Sequence, residues 1–278
     1  KARDALAWLR CRQASDAAVD DEIQILLLEL ENNKTDQFFT NLRSLVTCRN
    51  TSRAFRITLT ITLARELCGC LAVLHFASTI FGLANNGWVL TANQQAAVLG
   101  VVQFVGSCTA SFLVERIGRK PLLGMTCLIS GVAMTALGSW FYAQEQWDYS
   151  GASWLPIAAL CLCIYCDAAG LQPVPFVIMT EMFSFQMRGT VTSIVIAFAC
   201  ILVSILLRVF QPIANAVGLF LVFWTFAGVC IVSTIYIACC VPETKMRSIE
   251  DIYNELDGKK NKDVERGSEN KDNAVTKL

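Results

Sequence analysis

The chain has 278 residues, 54% of them hydrophobic, and its 23 basic residues balance 23 acidic ones for a formal net charge of zero. Its mean hydropathy of +0.48 lies well above that of an ordinary soluble domain. Balanced charge supplies no broad positive field, so the composition gives no reason to expect a nucleic-acid partner, and the expected solvent is the lipid bilayer.

Residues 1–53 are polar and charged, with short apolar pieces at Ala5-Leu6-Ala7-Trp8-Leu9 and at 23–30, after Asp20-Asp21-Glu22. Acids ahead of an apolar stripe suit a helix N-terminus, where exposed amides carry partial positive charge. The segment reads as cytoplasmic helices. It opens on Lys1, without a methionine or a secretory signal, so the chain is expected to begin inside a longer protein. Two glycosylation patterns, Asn33-Lys34-Thr35 and Asn50-Thr51-Ser52, fall here and read as chance matches.

Six apolar stretches follow, at 54–83, 95–114, 122–143, 155–179, 190–210 and 218–241. Each approaches or exceeds the ~20 residues that cross ~30 Å of hydrocarbon as a helix. The connections at 84–94, 144–154 and 211–217 lack lysine and arginine. Basic residues collect in the opening segment, in the turns at Arg116 and Arg188, and from Lys245 onward. Positive charge resists translocation, which places both ends in the cytoplasm. The expected fold class is an all-α membrane protein with six transmembrane helices. It divides into a cytoplasmic helical segment (1–53), a six-helix bundle (54–242) and a cytoplasmic tail (243–278), disordered after about 258. The plasma membrane is the expected location. Ile249, Ile252, Tyr253 and Leu256 fall at helical spacing and predict a short amphipathic helix before the disordered part.

Thirteen cysteines are present, most of them within spans, including Cys68, Cys70, Cys127, Cys163, Cys166 and Cys230. They read as small packing residues rather than a disulfide framework. Cys163-Ile164-Tyr165-Cys166 has a redox spacing, which counts for little at lipid depth. His75 is the lone histidine and has no charged ligands around it, so neither a metal nor a cofactor is expected. Gly124, Gly131 and Gly138 recur by sevens on one helix face and predict close helix packing.

Pro173 and Pro175 lie in the later half of the fourth span. Each removes a backbone donor and bends a helix, predicting a hinge or a cavity wall. Three charges lie deep within spans, Arg65 and Glu66 in the first and Asp167 in the fourth, while Arg208 is close enough to the outer end of the fifth to snorkel and is set aside. A charge at the bilayer centre costs at least ~2.5 to 3.5 kcal/mol on insertion scales, which marks such residues as functional candidates. Counted along each helix, Arg65 lies ~12 Å deep from the cytoplasmic side and Asp167 ~18 Å deep from outside, so the two depths match in ~30 Å of hydrocarbon. Arg65 and Asp167 are therefore expected to pair. Glu66, turned ~100° away, is expected to face elsewhere.

Glu115-Arg116-Ile117-Gly118-Arg119-Lys120 after the second span, Pro173-Val174-Pro175 followed by Glu181-Met182-Phe183 and Arg188-Gly189, and Pro242-Glu243-Thr244-Lys245 after the last resemble, in order and spacing, the C-terminal half of sugar porters of the major facilitator superfamily. Within that family the outline, including Phe223-Trp224-Thr225-Phe226-Ala227-Gly228, most resembles insect facilitated trehalose transporters. The resemblance implies a twelve-span transporter of which this chain supplies the second half, its partner being the other six-helix half, in the same polypeptide or a separate one. It implies that Glu115, Arg116, Arg119, Glu181, Arg188 and Glu243 form a cytoplasmic gate of ion pairs. It also implies a sugar-like solute, of trehalose or hexose type, moving by alternating access past Arg65, Glu66, Asp167, Gln172 and Phe176. The family's Gln-Gln-x-Ser-Gly-x-Asn motif is here Arg65-Glu66-Leu67-Cys68-Gly69-Cys70-Leu71, and its tryptophan after the prolines is Phe176. Those losses keep open a transporter of a charged or proton-coupled solute, and a non-transporting sensor or interaction protein. An enzyme is not expected, since no nucleophile has a base within a defined motif.

Overall fold

The computed structural model describes residues 6–8, 19–24, 37–77, 80, 92–147 and 154–256. The Asn33 pattern, most of 84–94 and the tail beyond 256 lie outside the described residues. Two compact units are present, Lys1–Thr47 and Cys48–Leu278. In the first, helix α1 (Gln37–Thr47) buries Leu45, and Ala7 and Val19 are also buried. The second carries all six apolar helices, and no strand occurs among the described residues.

The first span is two helices, α2 (Arg49–Leu67) and α3 (Cys70–His75). They meet at Gly69, whose φ of +79° is a left-handed conformation natural to glycine; a Cβ there would also overlap the Phe226 ring. The sequence pattern gave one continuous stretch here and did not anticipate the break. Within α2, the hydroxyls of Thr58 and Thr62 each donate to a carbonyl one turn back at 2.9 Å, so both are satisfied without water. The pattern at Asn50, read as a chance match, lies inside this helix.

Helices α4 (Ala92–Ile117) and α5 (Arg119–Trp147) form spans two and three, separated by Gly118 at φ +102°. Span four is broken: α6 (Trp154–Cys166), a π-helical turn (Asp167–Leu171), then α7 (Pro173–Met182). The Gln172 N–H reaches five residues back to the Asp167 carbonyl at 2.8 Å. The irregularity thus precedes the prolines, and Pro173 occupies a first-turn position where no N–H is needed. Span five is α8 (Phe185–Val217), which continues through Pro212 and runs past the expected end at 210. Span six is α9 (Leu219–Cys240), and α10 (Ile249–Leu256) is the expected amphipathic helix.

The glycine stripe of α5 faces α9 throughout. A Cβ on Gly131 would lie 2.9 Å from the Cys230 Cβ, one on Gly138 would lie 2.6 Å from the Trp224 ring, and one on Gly124 would lie 3.8 Å from Ile237. Aromatic stacking closes one end of this pair, with Phe141 on Phe223 at 5.7 Å and Tyr142 on Trp224 at 5.5 Å. Helix α10 lies against α2 and α7 with Ile252 fully buried. Burial pushes the Tyr253 phenol up, while a hydrogen bond with Thr51 opposes the rise. Spans two and five are the least covered, with 17% and 22% of their most apolar windows buried against 56% for spans one, three and four.

Gly69→Ala and Gly131→Leu are each expected to lower stability by about 1–3 kcal/mol through overlap and strain. Gly100→Ala and Gly228→Ala, where an added Cβ meets nothing within 4 Å, should change little. Thermal unfolding followed by fluorescence-detected size exclusion in detergent measures the contrast.

Candidate functional site

Arg65 ends α2, just before the break at Gly69, and Asp167 opens the π turn of span four. The two helix breaks therefore meet at one charged cluster. Arg65 Nε lies 3.7 Å from Asp167 Oδ1, an ion pair too long to be a hydrogen bond. Arg65 Nη1 donates to Glu66 Oε1 at 2.5 Å. Glu66 was expected to face away from Arg65, and that expectation is wrong. Adjacent Cβ atoms do diverge, but the long arginine side chain curls back to its neighbour. Glu66 is buried, with only 3% of its surface exposed. One cation thus faces two carboxylates in a nearly closed site. Arg65 Nε, Glu66 Oε2 and Asp167 Oδ1 are buried without a hydrogen-bond partner. Such atoms are costly when orphaned, which marks the cluster as a candidate polar site.

A cavity of about 700 Å³ opens between α4 and span four. Its walls include Ser107, Ser111, Glu115, Arg119, Gln172 and Phe176. That volume suits a small organic ligand. Gln172 offers amide donors and an acceptor, and Phe176 offers a flat apolar face. Pro173 lines the same wall. Arg65, Glu66 and Asp167 do not line it, although Ala168, next to Asp167, does. The five predicted pathway residues therefore fall at two places, a closed charged cluster and an open cleft.

At the basic end of the bundle, Arg119 Nη2 pairs with Glu181 Oε1 at 2.7 Å, and Glu181 Oε2 accepts from the Thr244 hydroxyl at 2.5 Å. Among the described residues Glu243 makes no arginine ion pair. Its carboxylate accepts from the backbone N–H groups of Arg119 (3.1 Å), Lys120 (3.2 Å), Thr244 (3.1 Å) and Lys245 (3.1 Å). It caps the N-terminus of α5, where free amides and the helix dipole favour an anion. A Cβ on Gly118 would come within 2.9 Å of this carboxylate, so the glycine makes room for it. Lys245 Nζ donates to the Arg116 carbonyl at 2.9 Å. Arg188 Nε donates to the Phe183 carbonyl at 2.9 Å, closing the end of α7. The side chains of Glu115 and Arg116 are exposed and join no ion pair among the described residues. Of six predicted gate residues, the structure joins Arg119, Glu181 and Glu243 and leaves the other three outside. Thr244 and Gly118 belong to the cluster, and only their places in the charged motifs hinted at it.

Buried thiols gather in two groups that linear spacing did not reveal. The sulfurs of Cys68, Cys127 and Cys230, all buried, lie within 4.8 Å of one another. Cys70 Sγ lies 3.4 Å from both Cys163 Sγ and Ser130 Oγ, so Cys163 faces span one rather than Cys166. All cysteines among the described residues are free thiols.

The sequence profile of the family described as "Sugar (and other) transporter" matches residues 1–256. The chain belongs to that family. Among curated relatives, the facilitated trehalose transporter Tret1 of Apis mellifera ligustica is 27% identical over 93% of this chain, and that of Bombyx mori is 29% identical over 92%. The chain spans about half the length of these relatives, 50% in both cases. The proton:xylose symporter XylE, of the major facilitator superfamily, superposes with a TM-score of 0.67 at 18% identity, over 86% of this chain and 49% of that one. Inward-open XylE from E. coli superposes at 0.61 with 21% identity, over 77% of this chain and 44% of that one. The fold is accordingly that of half a major facilitator, all-helical and integral to the membrane.

Glu243→Ala removes one acceptor from four backbone donors, and is expected to cost about 1–3 kcal/mol. Glu243→Gln keeps an acceptor without the charge and should cost less. Comparing thermal midpoints of the two purified variants checks the order.

Proposed function

We propose that this chain forms the C-terminal half of a transporter that moves a sugar-like solute, of trehalose or hexose type, by alternating access. The observation that carries the reading is the meeting of two broken helices, at Gly69 and at Asp167–Leu171, with buried unpaired polar atoms between them and a cleft holding Gln172 and Phe176 alongside. Discontinuous helices near the midplane are how transporters expose backbone and polar groups to a solute.

In this reading Gln172 bonds solute hydroxyls and Phe176 stacks against a sugar face. The π turn and Pro173 with Pro175 form the hinge of span four. Arg119, Glu181 and Glu243, with Glu115, Arg116 and Arg188 recruited when the halves close, form the gate at the cytoplasmic end. Ion pairs made in one state and solvated in the other bias a two-state equilibrium by their difference in free energy. The other six-helix half covers the exposed faces of α4 and α8. Both ends of this segment lie in the cytoplasm, the plasma membrane is the site of action, and the chain moves its solute without chemical change. A second reading, a charged solute or proton coupling, is favoured by the two carboxylates around the single Arg65.

Uptake of labelled trehalose and glucose by the complete native polypeptide in proteoliposomes tests both readings. Gln172→Ala and Phe176→Ala should each lower uptake about tenfold, the ~1.4 kcal/mol scale of a lost buried contact. Uptake that is indifferent to pH supports simple facilitated movement. Uptake that changes with pH, and loses that change in Asp167→Asn, supports the second reading. No saturable uptake of either sugar under any pH gradient removes the sugar reading.

A further inference from the structure

A second cavity, of about 590 Å³, lies at the basic end of the bundle and takes no part in the pathway described above. The first turns of α2 supply Arg53 and Arg56, three residues apart and so on one helix face. The start of α5 supplies Lys120, and the end of α9 supplies Tyr236. Ile57, Val241 and Pro242 add apolar wall. The single carboxylate in the lining, Glu255, is held in an ion pair by Arg247. Among the described residues no carboxylate pairs with Arg56 or Lys120. The Lys120 backbone N–H is held by Glu243, which fixes the start of α5 beside the cavity that the Lys120 side chain lines.

Arg56 and Lys120, with the one acidic neighbour in the lining engaged by Arg247, make an anion site. Its level in the bilayer identifies the anion. Arg56 and Lys120 lie in the opening turns of spans one and three, Tyr236 near the end of span six, and Val241 and Pro242 just beyond it, which is headgroup depth. We infer that this cavity binds the phosphorylated headgroup of an anionic lipid. The Arg56 guanidinium is a fork matched to two phosphate oxygens, Lys120 is a point charge beside it, and the Tyr236 hydroxyl is a donor for a further oxygen. Ile57, Val241 and Pro242 face the glycerol and upper acyl chain. A free phosphate uses the same cations but gains nothing from that apolar wall. The inference rests on the proposed orientation, since anionic lipids concentrate in the cytoplasmic leaflet. Protease protection of the tail after Leu256 tests that orientation separately. It is independent of transport, so failure of the sugar reading leaves it standing.

The test uses the complete native polypeptide in detergent and a fluorescent short-chain phosphatylinositol bisphosphate read by anisotropy. Saturable binding is expected, weakening with added salt as screening grows. The double variant Arg56→Gln/Lys120→Gln should bind at least about tenfold more weakly, roughly the loss of one charge-assisted hydrogen bond. Arg208→Gln, in α8 and away from the cavity, should bind as wild type. Arg56→Lys with Lys120→Arg keeps the charge and should retain most of the affinity, which separates lost binding from lost folding. Wild-type affinity in a monodisperse double variant overturns the inference. Inorganic phosphate displacing the probe with the probe's own affinity overturns the lipid as the source and leaves a free-phosphate site.

Discussion

The contact between Arg65 and the carboxylates of Glu66 and Asp167 is what the bundle is arranged around. Charges in hydrocarbon are tolerated when they meet each other, and these three meet beside two irregularities of the spans. Gly69 turns span one in the left-handed region, and the π turn at Asp167–Leu171 widens span four. Around this centre the remaining helices are ordinary apolar packing, with the α5 glycines seated on α9 and aromatic rings closing one end.

Much of this was legible in the sequence, because hydropathy and basic turns are local signals. The six spans, the depth match that joins Arg65 to Asp167, the glycine stripe and the amphipathic helix at 249–256 all follow from spacing along a helix. What escaped was whatever depends on three dimensions or on a long side chain. Glu66 was read from the angle between neighbouring Cβ atoms, which says nothing of an arginine that bends. The break at Gly69 was hidden because apolar residues run unbroken through it. Prolines drew attention to 173–175, while the helix departs from α geometry one turn earlier, at a segment with no proline. The thiol cluster of Cys68, Cys127 and Cys230 comes from three separate spans, so no spacing along the chain could reveal it.

Exposure is uneven around the bundle. Spans two and five present large apolar side chains, Phe104 and Phe112 among them at 70% exposure, while spans one, three and four are covered by their neighbours. The cleft with Gln172 and Phe176 opens beside span two. A chain that covers half of its relatives thus shows its polar cleft and one of its barest helices on the same side.

The Glu243 cap has a consequence for the order in which the protein is made. Its carboxylate serves Arg119, 124 residues earlier in the chain. At a synthesis rate of about 5–20 residues per second, the amides at the start of α5 wait roughly 6 to 25 seconds for their anion. In that interval four spans, the third to the sixth, are made. The closing motif after the last span therefore fastens the turn last, and the start of α5 gains its anionic cap only once the final helix has been made.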